Sequence, residues 1–318
     1  MTPRARSLVH FIGLVASAAT AGRVLGQTSP PFMLTGRNVQ KAVDGAVTLM
    51  AFSVVPDLAS SVLQIRGGGT GNSGITMSQF GGGFTLGKPV APYVEGNVGY
   101  SRYDPKFVAS NGQEQRPIPA KWNTIAATGG IGVDIPLFRD LTLRPIFNFS
   151  LGHVESDSSA AGRLIEHLTD RHLNFLDHGR LNAYGLGGSL ALDYWRFREY
   201  YDVELLLRYT DIYLQSFDTT SGAEGSANAA TVSLYSRLRA PTGLLVMRRP
   251  LRWVLELSGS DYVGDQRGVL GFNYLSSAGT GFEFDITALH TVFSRVRWVA
   301  RYFFGEHVDG FSAGLALS

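Results

Sequence analysis

Between Arg198 and Gln215 the residues change character at almost every step. Tyr201, Val203, Leu205, Leu207 and Tyr209 fall on one parity, while Tyr200, Asp202, Glu204, Leu206, Arg208 and Thr210 fall on the other. Successive side chains of an extended chain point to opposite faces, so this segment predicts a strand with one apolar and one wet side. It is long enough to meet the roughly 9–11 residues that a tilted strand needs to cross a bilayer. The same alternation recurs to the C-terminus. It predicts twelve strands, at about 54–66, 74–87, 90–103, 120–135, 140–156, 179–195, 199–216, 228–244, 249–263, 268–284, 289–304 and 309–318.

Five of these segments carry a clear apolar row. The rows are Leu141, Leu143, Phe147, Phe149 and Leu151; Tyr184, Leu186, Leu190, Leu192 and Tyr194; Val232, Leu234 and Leu238; Leu251, Trp253, Leu255 and Leu257; and Val292, Val296, Trp298 and Tyr302. The alternate positions hold Gly, Ser, Thr, Asn and Arg, as a water-facing lumen requires. Aromatic residues gather where the strands end, at Tyr194, Trp195, Tyr200, Tyr201, Tyr262, Tyr302, Phe303 and Phe304. Their amphipathic rings suit a lipid–water boundary.

The connections alternate too. Long or Gly-rich polar segments follow the odd strands: Arg66–Ser73, Asp104–Pro119, Ser156–His178, Phe217–Ala227 and Gly264–Arg267. Short turns follow the even ones, as at Gly87-Lys88-Pro89, Pro136–Arg139, Arg196–Arg198, Arg248–Pro250 and Asp285–Ala288. Short inner turns and longer outer loops belong to an outer-membrane barrel, whereas a soluble sandwich has no need of them. The fold predicted is therefore all-β: a twelve-stranded antiparallel transmembrane β-barrel, located in the cell outer membrane.

Composition agrees with that picture. Only 17% of the 318 residues are charged, against roughly 25% in a typical soluble domain. No apolar run outside the N-terminus approaches the ~20 residues of a membrane helix. Lipid tolerates only helices and closed barrels as spanning backbones, because both pair every peptide group internally. The N-terminus itself reads as a secretory leader over residues 1–26. Arg4 and Arg6 precede the apolar run Leu8–Ala21, and cut sites follow Ala19-Thr20-Ala21 or Val24-Leu25-Gly26. Cleavage after Gly26 also removes Arg23, leaving 25 basic against 26 acidic residues. The basic pI is thus no sign of nucleic-acid binding. There is no cysteine, which excludes disulfides and thiolate metal sites.

Residues 27–53 form a separate N-terminal segment, and the barrel occupies 54–318. Within the segment, Val39, Val43, Ala46, Val47 and Met50 recur at three-to-four spacing. That predicts a short helix, placed either inside the pore as a plug or in the periplasm.

The charged residues on the wet parities are the candidate lumen lining: Asp202, Glu204, Arg208, Arg237, Arg239, Glu256, Arg295, Arg297 and Arg301, with Glu283 beside them. An arginine facing lipid near the midplane costs roughly 2–4 kcal/mol, so these arginines belong inside. They would line a pore selective for anions or acidic polypeptide, or they would form a salt-bridge network across a narrow barrel. The presence of both signs favours the network.

Enzymatic alternatives are weaker. The 156–178 loop gathers Glu166, His167, Asp170, His172, Asp177 and His178, groups able to activate water or hold a metal. However, Leu164, Ile165, Leu168, Leu173, Phe175 and Leu176 are interspersed among them, as in a small amphipathic helix over the barrel mouth. His153 and Ser156 fall on opposite faces of one strand, and His290 has no suitably spaced serine. Gly67-Gly68-Gly69 and Gly81-Gly82-Gly83 lack the Lys-Ser/Thr ending of a phosphate loop. No catalytic residue, metal or cofactor is assigned.

The leader, the short helical segment, Val55-Pro56-Asp57 entering strand one, and the last strand Phe311-Ser312-Ala313-Gly314-Leu315-Ala316-Leu317 together resemble the solitary outer membrane autotransporter β-barrel family. That family usually ends in an aromatic residue read by the assembly machinery, whereas this chain ends in Ser318. The resemblance implies a structural or translocator-like barrel without a large passenger. Outer-membrane lipid, lipopolysaccharide, periplasmic chaperones and the barrel assembly machinery would be its partners. A porin-like channel for small solutes and a hydrolase using the 156–178 loop are the alternatives.

Overall fold

The computed structural model describes residues 11–12, 62–66, 74–87, 91–104, 106–110, 115–119, 122–156, 180–218, 225–246, 249–268, 272–285, 295–306 and 308–317. These residues form strands and connections. The predicted helix at 37–50 lies outside them, as does the 157–179 loop.

The strands are β1 (Phe11–Ile12), β2 (Val62–Arg66), β3 (Gly74–Thr85), β4 (Ala91–Asp104), β5 (Lys106–Ser110), β6 (Gln115–Pro119), β7 (Trp122–Phe138) and β8 (Leu141–Ser156). They continue with β9 (Arg180–Phe197), β10 (Asp202–Phe217), β11 (Ser226–Val246), β12 (Arg249–Tyr262), β13 (Tyr274–Asp285), β14 (Arg295–Gly305) and β15 (Val308–Leu317). One antiparallel sheet takes thirteen of them, in the order β1-β15-β14-β13-β12-β11-β10-β9-β8-β7-β4-β3-β2. Twelve strands were expected. The extra one is the two-residue pairing of Phe11 and Ile12 with Leu317 and Ala316, which falls inside the expected leader. Residues 104–119, expected to be a polar loop, instead contain the separate hairpin β5–β6.

Neighbours in chain order are neighbours in the sheet, apart from the hairpin and from β1, which pairs with β15 rather than β2, so nearly every other connection is a simple up-and-down turn. Gly87 sits at φ +86° in the turn after β3, a conformation that only glycine adopts without strain. Gly243, at φ +78°, marks a bulge where the register between β11 and β12 slips from Pro241 to Leu245. The Thr242 hydroxyl secures that bulge, donating to the Leu251 carbonyl at 2.8 Å and accepting from the Leu244 amide at 3.1 Å. Leu251, expected on the exposed apolar row, is buried here.

The burial of the two faces is the reverse of a soluble protein's. Phe147, Leu151, Leu186, Leu234, Leu257 and Trp298 are exposed, Leu151 at 60%. Arg237 and Glu256 are each 2% exposed on the opposite face. In β10 the row Leu205, Leu207, Tyr209 and Tyr213 is exposed, while Asp202, Glu204, Arg208 and Thr210 are buried. A sheet can bury one face in this way only by curling around it. The two ends of the ladder do approach one another, since β2 lies beside β15 with Cα atoms within 8 Å.

The inner face has two tiers. Toward the short turns it is charged. Toward the long loops it is apolar, built from Trp122, Val154, Leu181, Ile212, Leu214, Tyr262, Phe272, Leu275 and Phe303. Tyr262 packs edge-on against Phe272, with ring centroids 5.7 Å apart. Tyr262 and Phe303, counted as boundary aromatics from the sequence, therefore belong to the interior. Tyr302 and Phe304 stay on the outside and stack at 6.2 Å.

Candidate functional site

The charged tier is the chemically richest part of the described structure. Parity alone brings its members to one face, because each sits at an alternate position of a long regular strand. Curvature then brings strands that are not neighbours within reach of each other.

Glu95 is the hub of one cluster. Arg208 grips it with both guanidinium arms, at 2.7 and 2.8 Å, and the Asn148 amide donates to it at 2.8 Å. The Tyr93 hydroxyl adds a bond of 3.2 Å. Arg208 also donates to Thr210 and Ser189, and Ser189 passes the chain on to Asn148 at 2.6 Å. β4 and β10 are four places apart in the sheet, which at ~4.8 Å per strand is roughly 19 Å of wall. Their side chains meet only because the wall curls. Glycines leave room for this: a Cβ at Gly130 would lie 2.6 Å from Glu95 Cγ.

Arg144 anchors the neighbouring cluster. It bonds Asp134, reaches Asp193 at 3.2 Å, and lies 4.1 Å above the Tyr93 ring. The Thr85 hydroxyl completes Asp134 at 2.6 Å.

Farther round the wall Glu256 accepts from Arg301 at 2.6 and 2.9 Å and from the Tyr235 hydroxyl at 2.7 Å, and Arg297 stands 3.3 Å away. Glu283 faces Arg239 at 3.2 Å and Arg295 at 3.4 Å. Asp202 pairs with Arg252 and lies 3.5 Å from Arg239, and Glu204 pairs with Arg237. Eight of the nine residues singled out from the sequence are buried, and Arg295 is half-buried.

Sequence reading missed Glu95, Asp134, Arg144 and Asp193. Glu95 was legible, since Tyr93, Glu95 and Asn97 alternate with Val94, Gly96 and Val98. Asp134, Arg144 and Asp193 sit near turns, where charge is unremarkable, and only the fold shows that they meet.

Such an arrangement holds strands in register and fills space. Among the described residues no group of three or more His, Asp or Glu has the geometry of a metal site. The His153 ring Nδ1 is hydrogen-bonded with the Asn182 side-chain amide oxygen at 2.8 Å. The acidic and histidine residues of the 157–178 loop lie outside the described residues.

Removing one member should be costly, because its partners stay buried and charged. Glu256→Gln keeps the shape but leaves Arg297 and Arg301 facing an amide, and it should lower stability by roughly 3–5 kcal/mol. The double variant Glu256→Gln/Arg301→Met should recover part of that loss. Urea unfolding in lipid vesicles, followed by tryptophan fluorescence, measures both.

No family model matches the sequence, and no curated protein does. Solved structures do resemble it. The transport unit of the autotransporter AIDA-I from Escherichia coli is 12% identical, with 87% of this chain and 98% of that one covered, at a TM-score of 0.47. The translocator domain of the autotransporter NalP from Neisseria meningitidis is also 12% identical, with 88% and 94% covered, at 0.44. The CymD monoaromatic hydrocarbon channel is 9% identical, with 80% and 76% covered, at 0.39.

Proposed function

We propose that this chain is a closed, twelve-stranded β-barrel of a bacterial outer membrane, structural or translocator-like in role and without an enzymatic step. The observation that carries the proposal is the inversion of its faces. An apolar outer row on strand after strand is stable only against hydrocarbon, and a buried charged face only inside a closed wall. Without the two-residue β1 and the β5–β6 hairpin, twelve strands remain, and β2, whose Cα atoms come within 8 Å of those of β15, would form the seam with it. Closure would also remove the exposed sheet edges.

On this reading the outer surface meets outer-membrane lipid and lipopolysaccharide. Periplasmic chaperones and the barrel assembly machinery deliver the chain there. The short helix expected at 37–50 would plug the lumen together with the ion-pair network. A small-solute channel needs a continuous water path, and the pairing of Glu95 with Arg208 across four strands works against one.

Two experiments test the proposal. Leu234→Arg and Leu257→Arg place a cation mid-strand on the outer face, and each should cost roughly 2–4 kcal/mol of folding stability in lipid vesicles. No loss at either position would remove the lipid contact. In planar bilayers the full chain should be nearly silent. Deleting residues 36–50, or combining Glu95→Ala with Arg208→Ala, should open steady conductance. Steady conductance of the unaltered chain would replace the translocator-like reading with the channel.

A further inference from the structure

Asp211 breaks the rule that governs the outer face. On the outward parity of β7 to β14, the other charged residues described lie at strand ends: Glu155, Arg180, Arg196, Arg249 and Asp261. Asp211 instead stands mid-strand, nine residues from Asp202 and six from Phe217. Its neighbours along β10 on that face are Tyr209 and Tyr213. Among the described residues its one hydrogen-bond partner is the Tyr209 hydroxyl, at 3.0 Å.

The carboxylate borders a notch of about 700 Å³ in the outer surface. Ile131, Phe147, Gly188 and Asp211 face each other in turn across four adjacent strands. Gly188 takes the place of a side chain in the apolar row between Leu186 and Leu190, so the floor of the notch is bare backbone. Ile131, Phe147 and Leu190 form its walls, and Asp211 with Tyr209 closes one side.

We propose that this notch binds a single-chain cationic amphiphile, with the alkyl chain along Phe147 and Leu190 and a primary ammonium group on Asp211. A carboxylate surrounded by hydrocarbon is costly unless an opposite charge meets it. A bilayer's ordinary chains supply no such charge at mid-strand depth. A second copy of this chain is a poor match, because the described mid-strand outer face of β7 to β14 presents no lysine or arginine. The inference rests on the outer face meeting lipid.

The test is photolabelling in phospholipid nanodiscs with a diazirine-bearing dodecylamine and the matched dodecanol. Labelled residues are mapped by peptide mass spectrometry. The amine should label Ile131, Phe147 and Leu190 roughly tenfold more than Leu234 or Leu257, the worth of one charge-assisted hydrogen bond. The alcohol should label all five alike. D211N should bring the amine down to the alcohol's distribution. G188L, which fills the floor, should bring amine labelling of the notch walls down to that of Leu234 and Leu257 while heat-modifiable gel mobility persists. Even labelling by the amine, or notch labelling that survives D211N, would overturn the proposal. Cross-linking of a Gly188→Cys variant to a second polypeptide would do the same. If the alcohol labels Asp202 and Arg297 in place of Leu234 and Leu257, the membrane reading itself fails, separately from amine selectivity.

Discussion

Glu95 and Arg208 stand on strands four apart, and the bidentate bond between them fixes how tightly the wall must curl. Other features follow from that curvature. A flat sheet carrying these residues would expose a row of charges on one face and a row of leucine and phenylalanine on the other, and water would tolerate only the first. Once curled, the sheet seals its charges inside, where they must find partners. The cost of an unpaired buried charge then makes each pair a constraint on register. The long, regular ladders from β7 to β14 are consistent with such a constraint, with bulges only near the short turns, at Pro136/Phe138 and Pro241/Leu245.

The interior divides its labour by height. Toward the short turns arginines and carboxylates span from strand to strand, and their hydrogen bonds are directional. Toward the long loops Ile212, Leu214, Phe272 and Phe303 pack as an ordinary core, with Gln266 bonded to the Ala230 carbonyl and the Thr231 hydroxyl beneath them. Lower down the ladder is continuous, and charged side chains can be buried without exposing backbone.

Alternation reads well from sequence wherever each face keeps a single chemical character. In β10 the outward row from Val203 to Tyr209 does so and lies along the exposed face, while the inward row of Asp202, Glu204 and Arg208 is interrupted by the half-buried Leu206. The same strand then continues with Ile212 and Leu214 on the inward parity, where a polar residue would be expected. Those two positions answer to a core assembled from distant strands, which local spacing does not reveal. Tyr262 and Phe303 misled for the same reason: an aromatic residue near a strand end suits a boundary, and only the direction of its strand's pleat shows that it points inward. The ion pairs were legible as a set of inward charges but not as pairs. Arg208 is 113 residues from Glu95, and nothing local links them.

The amino-acid sequence by itself determined β2–β4 and β7–β15, their antiparallel order and which side chains share a face, though not the β5–β6 hairpin, because a period of two and the length of the connections are local properties. Tertiary structure alone decided which charges meet, where the interior turns apolar, and that Asp211 borders a notch floored by Gly188. Those outcomes depend on how far the wall bends and how neighbouring strands are staggered. Both are set by the whole sheet settling at once, not by any one segment.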